Sequence, residues 1–298
     1  MRKLALPNYD PAATFRACVA EIGDAASVDH YMSNEPYFLD AVQRFDAESS
    51  SCSWYNLPRS LHGVPEQIVL GSLTKKELVD LYSDYMVAQK GASRDIYDEI
   101  LISSDEICPF CGGLGQVKTL DHFLPKARYP SYSVLPANLF PCCRDCNTDK
   151  RASVPDQATK VSVNPYFDAP QFFTERWVVA DLVGGTPLSI TFRAAPPAHW
   201  TPIDKARAIS HFENYGLAKR FSLQASGELG KVVNARKGEL NVLPAQNYRN
   251  HLLDQANSEG LDLNGWSRTL YQTLADSAWF VGNDFRLPLL AGGYCVSP

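Results

Sequence analysis

Two cysteine pairs, Cys108-Pro-Phe-Cys111 and Cys143-Arg-Asp-Cys146, constrain this chain more than any other feature. A C-x2-C spacing lets two thiolates on one tight turn reach a single ion. Two such turns complete a tetrahedral sulfur set that suits Zn2+ and is closed to substrate. The segment between the pairs, 112–142, is longer than in a simple zinc ribbon, so it must hold structure of its own. Pro109 and Gly112-Gly113 suit a tight knuckle turn. Cys142 with Cys146 would give C-x3-C, so Cys143 is assigned to the metal. Cys142, Cys18, Cys52 and Cys295 are read as ordinary thiols. The start of the chain, MRKLALPNYD, lacks the apolar core of a secretion signal. In such a setting clustered cysteines argue for a structural zinc rather than disulfides.

The flanks are long compared with this segment. Hydrophobic residues make up 45% and charged residues 20% of 298 residues, the balance of a soluble globular protein. No apolar run approaches the ~18–20 residues that span a bilayer, so a cytoplasmic protein without membrane contact is expected. The periodicity predicts an amphipathic helix from Pro11 through Ile22 and a loop over 49–65. A helix follows, opened by a Thr74/Glu77 capping box, with Leu78, Leu81, Tyr82, Tyr85 and Met86 on one face. Another helix is expected over Arg94–Ile102. Beyond the cysteines, 176–194 reads as two strands turning at Gly184-Gly185, and 202–280 as mostly helical. The expected fold class is α+β. A helical region (1–102) precedes a small zinc-stapled core (103–170), and a β-hairpin with further helices (171–298) follows.

Net charge is −5, which excludes a generally basic nucleic-acid binder. From Cys108 to Arg151, however, six basic residues face three acidic ones, a local +3 that leaves −8 on the rest. Between the knuckles lie Asp121-His122 and Asn138, and Asn147 follows directly on Cys146. A neutral imidazole can take a proton from water near pH 7. Carboxylate and amide oxygens suit a hard divalent cation. Lys150 stands one helical turn after Asn147 and, with Lys126 and Arg151, is a candidate nucleic-acid contact at phosphate. Tyr129, Tyr132 and Phe140 are read as core packing.

In this order and spacing the residues resemble the HNH, or ββα-metal, endonuclease motif in its zinc-knuckle form, over about 108–168. The resemblance implies a ββα-metal core with His122 as general base. Asp121 and Asn147 would hold a catalytic Mg2+ or Mn2+, and Asn138 would pin the loop behind His122. It implies hydrolysis of phosphodiester bonds in nucleic acid, DNA before RNA. The wider layout carries a second resemblance: KGASRDIYDEI (90–100), the stretch 120–150, NPYFD (164–168) and NGWSRTLYQTLADSAWF (264–280). It is similar to the HNH subunit of Septu-type anti-phage systems and related retron systems. That likeness implies a bacterial defence effector working with an ABC/SMC-like ATPase. The long helical flanks offer a surface for that partner or for a homo-oligomer. The alternative is a zinc-dependent nucleic-acid-binding or assembly module with little or no cleavage. NPYFD supplies Tyr166 and Asp168 as candidate braces.

Overall fold

The computed structural model describes residues 1–150, 154–185 and 187–287. Arg151 and Cys295 lie outside these described residues. The protein is a mixture of helices and small two-stranded sheets, as the sequence predicts. Its contacts divide it into two compact units. One comprises 3–109 and 115–168, the other 1–2, 110–114 and 169–298.

The first unit opens with helices α1 (Pro11–Ala20), α2 (Ala25–Ser33) and α3 (Glu35–Ser49). Asp10 and Asp24 accept hydrogen bonds from the first-turn amides of α1 and α2, so both helices start where a side-chain cap exists. Strands β1 (Ile68–Leu70) and β2 (Leu73–Thr74) form a short hairpin that leads into α4 (Lys75–Asp80). The reciprocal Thr74–Glu77 capping box is present. The helix then widens into a π-helical stretch, Leu81–Val87, before α5 (Ala92–Ile102).

Strand β3 (Val117–His122) and strand β4 (Leu139–Cys143) pair antiparallel, with Asp121 opposite Phe140 and His122 opposite Leu139. Helix α6 (Arg144–Asp149) follows at once. The outer edge of β3 is occupied by two tyrosines. The Tyr97 hydroxyl accepts from the Leu120 amide at 3.2 Å, and Tyr82 donates to the Leu120 carbonyl at 3.3 Å. Both polar groups of Leu120 therefore point away from β4. That makes Leu120–Pro141 a pair without ladder bonds, where a proline is tolerated. Behind the sheet, aromatic rings form the core: Trp54 packs on Phe123 at 5.0 Å, Phe45 on Tyr132 at 5.3 Å, and Phe140 stacks on Tyr166 at 4.0 Å. Tyr129, Tyr132 and Phe140 are all buried, as expected of core residues.

The second unit continues with α7 (Gln171–Thr174) and a hairpin of β5 (Val178–Val183) and β6 (Ser189–Ala194). Helices α8 (Pro202–Asn214), α9 (Leu217–Lys237), α10 (Ala245–Ala256), α11 (Trp266–Asp276) and α12 (Ala278–Gly282) complete it. Phe221 of α9 meets Phe192 of β6 edge-to-face at 5.5 Å. Asn264 is fully buried. Its oxygen accepts from the Trp177 and Val178 amides, and its nitrogen donates to Glu175, so none of this burial leaves an orphaned polar group.

His211 of α8 is also buried, with Nε2 2.9 Å from the Phe110 carbonyl and Nδ1 unpartnered. Burial pushes its pKa from 6.5 to about 3; the Phe110 carbonyl opposes this, while the N-terminus and Arg207 add to it. As pH falls below 6.5 the unfolded chain takes a proton that the folded chain refuses until about 3. The stability is therefore complete above 6.5 and is lost between 6.5 and about 3. Lowering the pH from 7.5 to 5 should cost the wild type about 2 kcal/mol more than His211→Phe, measured by denaturant titration. An identical pH dependence for the two proteins would show that His211 ionises freely in the folded state.

Candidate active site and metal centre

The ligand atoms of Cys108, Cys111, Cys143 and Cys146 all lie within 4.8 Å of one another, and all four residues are buried. No described cysteine is in a disulfide. Four buried, converging thiols fit a soft-ligand tetrahedral ion such as Zn2+. Cys142 is buried but is not among the four, so the C-x2-C register is the one the fold uses.

Local geometry explains both knuckles. An antiparallel bridge from Ile107 to Gln116 closes the first, and Gly112 and Gly113 take positive φ of 66° and 87° inside it. In the second, Cys143 caps α6, its sulfur accepting from the Cys146 amide at 3.5 Å. Gly115 presses against this cysteine. A Cβ at 115 would sit 2.8 Å from the Cys143 Cβ and 2.9 Å from its sulfur. Gly115→Ala should therefore destabilise the fold by about 1–3 kcal/mol and speed zinc loss to a chelator. Thermal melting and a zinc-release dye check both, and unchanged release would mean that the Cys143 side chain relocates freely.

Asp121, His122 and Asn147 line a single cleft of about 480 Å3, together with Tyr82, Tyr97, Lys126 and others. His122 closes β3, and Asp121 precedes it, so the two side chains meet the cleft where the strand ends. His122 is 5% exposed. Its Nε2 lies 2.8 Å from the Ser133 carbonyl. A carbonyl only accepts, so Nε2 carries the proton and Nδ1 keeps its lone pair. The ring also meets Tyr82 edge-to-face at 4.4 Å. Burial drives its pKa down to about 3. The Ser133 carbonyl opposes this, and the Lys126 and Lys150 charges act with burial. The imidazole is therefore neutral at ordinary pH.

Asn138 is fully buried, and its side chain closes a three-bond clamp. Oδ1 accepts from the Leu124 amide at 2.8 Å, and Nδ2 donates to the carbonyls of Leu124 and Tyr132 at 3.1 Å each. It touches the loop that follows His122, and it is not among the residues lining the cleft. Tyr166 donates to the Leu139 carbonyl at 2.8 Å, and Asp168 accepts from the Asn164 amide at 2.6 Å.

The basic residues are placed differently from the expectation. Lys150 is buried at 7% exposure rather than open to phosphate. Its ammonium lies 3.1 Å from Asp121 Oδ2, also donates to the His122 carbonyl, and passes 5.6 Å from the Phe123 ring centre. Helix α6 has ended by then, so the side chain folds inward under Phe123 and does not extend along the Asn147 face. Lys126 does line the cleft. It donates to the Ser83 hydroxyl at 2.7 Å and lies 4.6 Å from the Tyr82 ring centre.

Three residues of this site carry no signature in the sequence: Ser133, which contributes only its carbonyl, and the tyrosines 82 and 97. Tyr82 lies on the predicted apolar face of its helix, which indicates burial but not the strand it serves.

No helix among the described residues is long and apolar enough to cross a membrane. No family model matches the chain, and no solved structure matches it. It is 35% identical to Protein ea31 of Escherichia phage lambda over 293 residues, 94% of this chain and 99% of that protein. At that identity, over nearly the whole of both proteins, the chain belongs to the family of the phage lambda protein ea31.

Proposed function

We propose that the chain is a metal-dependent endonuclease of the HNH type, hydrolysing phosphodiester bonds of nucleic acid, with DNA as the first candidate substrate. The observation that supports it is the convergence of Asp121, His122 and Asn147 on one cleft. Asp121 and His122 end the first of two antiparallel strands and Asn147 stands on the helix that follows the second, beside four clustered cysteines. In this reading the cysteines hold a structural zinc that fixes α6 against β3 and β4 and takes no part in the reaction.

His122 Nδ1, held unprotonated by the Ser133 contact, accepts a proton from the attacking water. Asn138 fixes the loop after the strand end, so the ring does not swing during that transfer. Lys126, its ammonium held over the Tyr82 ring, places a positive charge at the cleft for the substrate phosphate. Asp121 and Asn147 offer the hard oxygen donors that would hold Mg2+ or Mn2+. Such an ion, when bound, supplies charge neutralisation at the phosphate and at the leaving oxygen. Lys150 already neutralises Asp121, so it must yield that carboxylate before the full ligand set is free.

The Lys150–Asp121 pair is also the observation that favours the second reading, a nucleic-acid-binding module that does not cut. The effector role in anti-phage defence, the ATPase partner and a homo-oligomer rest on the Septu-type resemblance alone.

The test uses the zinc-loaded full chain on plasmid, single-stranded DNA and RNA, in Mg2+, in Mn2+ and without either, with and without a co-encoded ATPase. Cutting that needs the divalent ion is the expected result and names the substrate. Binding without cutting under every condition would favour the second reading.

A further inference from the structure

Lys126 and Ala127 line two hollows: the cleft of the candidate active site, and a neighbouring one of about 300 Å3. The walls of the second are mainly apolar, with Val64 and Pro65 from the loop before β1 and Val79 from α4 facing Ala127. Asp80 and Lys126 are among its polar groups. The chain beside it exposes apolar side chains: Leu61 is 59% and Val64 39% exposed in the loop, and Ile68 at the start of β1 is 64% exposed. Of these, Val64 lines the hollow itself, and an exposed apolar group at a concave place marks a contact surface.

We propose that this hollow receives one unpaired nucleobase of the substrate strand, next to the phosphate that is cut. The inference rests on the nuclease reading and adds to it a site that selects the form of the substrate. Four features of the hollow favour a base as the occupant. The volume is at the small end of the ~300–1,000 Å3 typical of ligand sites, so it suits a single ring system rather than a helix or a loop. Val64, Pro65 and Val79 offer apolar surface to the faces of a base, a contact that depends on shape and burial rather than on the identity of the base. Asp80 accepts from Lys76 through one oxygen, which leaves the other as an acceptor for the amino or imino hydrogens on a base edge. Lys126 stands between the two hollows, where the backbone phosphate joining base and scissile bond must run. A base inside a duplex cannot reach such a place without unstacking, so the preferred substrate is single-stranded or carries a flipped base.

The experiment uses the zinc-loaded full chain with single-stranded oligonucleotides, DNA in one arm and RNA in the other. 2-Aminopurine is placed at successive positions, and fluorescence is read without added Mg2+ or Mn2+. The proposal expects a large change at one position, kept by Val79→Ala and lost with Val79→Trp, whose indole fills the hollow. With a divalent ion present, Val79→Trp should lower kcat/KM on the oligonucleotide by roughly 10–100-fold. It should leave hydrolysis of bis(p-nitrophenyl) phosphate, which carries no base, unchanged. An abasic residue at the sensitive position should produce the same loss in the wild type, which decides the matter even if the tryptophan variant fails to fold. A signal independent of position, or an abasic substrate cut as fast as the intact one, overturns the proposal and leaves the hollow to some other apolar partner. A position-specific signal with no cleavage of either substrate sustains the base site and defeats the nuclease reading.

Discussion

His122→Ala should lower the cleavage rate by roughly 10²–10⁴-fold, the contribution usual for a positioned general base. The argument rests on the state of the ring. Nε2 is committed to the Ser133 carbonyl, so the proton acceptor is Nδ1, on a residue that lines the cleft. Alanine removes the acceptor and the Tyr82 contact while leaving Asp121, Asn147 and Lys126 in the chain. Substrate binding should therefore change little, and kcat should carry the loss. His122→Gln is the companion variant: its amide can keep the Ser133 hydrogen bond but cannot take up a proton, so it too should be slow. Both variants need to retain zinc and a wild-type melting transition for the comparison to report chemistry. If either keeps more than a tenth of the wild-type kcat, another group deprotonates the water and the assignment is wrong.

Cys143→Ser should abolish folding of the unit built from 3–109 and 115–168. Binding of a structural zinc in small metal domains carries an apparent ~10–16 kcal/mol, comparable with the entire ~5–15 kcal/mol stability of an ordinary domain. Cys143 also caps α6 through the Cys146 amide, so the substitution removes a ligand and weakens a helix start together. Zinc analysis should fall from near one ion per chain to near none, and the cooperative melting of that unit should disappear. Cys142→Ser is the control. Its sulfur lies outside the four-thiol set, so zinc should stay. A zinc-free Cys143→Ser protein that still melts cooperatively would show that the aromatic core around Trp54, Phe123 and Phe140 suffices without the ion.

The sequence was most legible where the physics is local or strictly spaced. The C-x2-C pairs named the four clustered thiols, because two ligands on one turn leave few other arrangements. The Thr74/Glu77 capping box and the hairpin over 178–194 depend on neighbouring residues only, and both form. The stretch 202–280, which reads as mostly helical, does hold helices α8 to α11, although α11 breaks at Ser277 before Ala278. What stayed hidden depends on backbone groups or on side-chain direction. Ser133 meets His122 through a carbonyl that every residue possesses, so no residue type marks it. Helical spacing places Lys150 beside Asn147, but α6 is only about one and a half turns long and the lysine turns inward to Asp121. The π-helical stretch after α4 has no simple sequence signal either, although it carries Tyr82 and Ser83 to the cleft.

The two tyrosine hydroxyls on Leu120 bear on how far the candidate catalytic segment can be separated from the rest of the chain. A two-stranded ribbon has two open sides, and a bare side invites another strand to add to it. Here the side of β3 away from β4 is sealed at Leu120 by groups from helices that precede it in sequence. The segment from 103 to 170 is therefore not a transplantable cassette. Cut free, it would expose this side to self-association, and a graft into another scaffold would have to bring donors and acceptors equivalent to Tyr82 and Tyr97. Any shortened form of the protein must keep the helical stretch from 75 to 102, or something that seals the strand as it does.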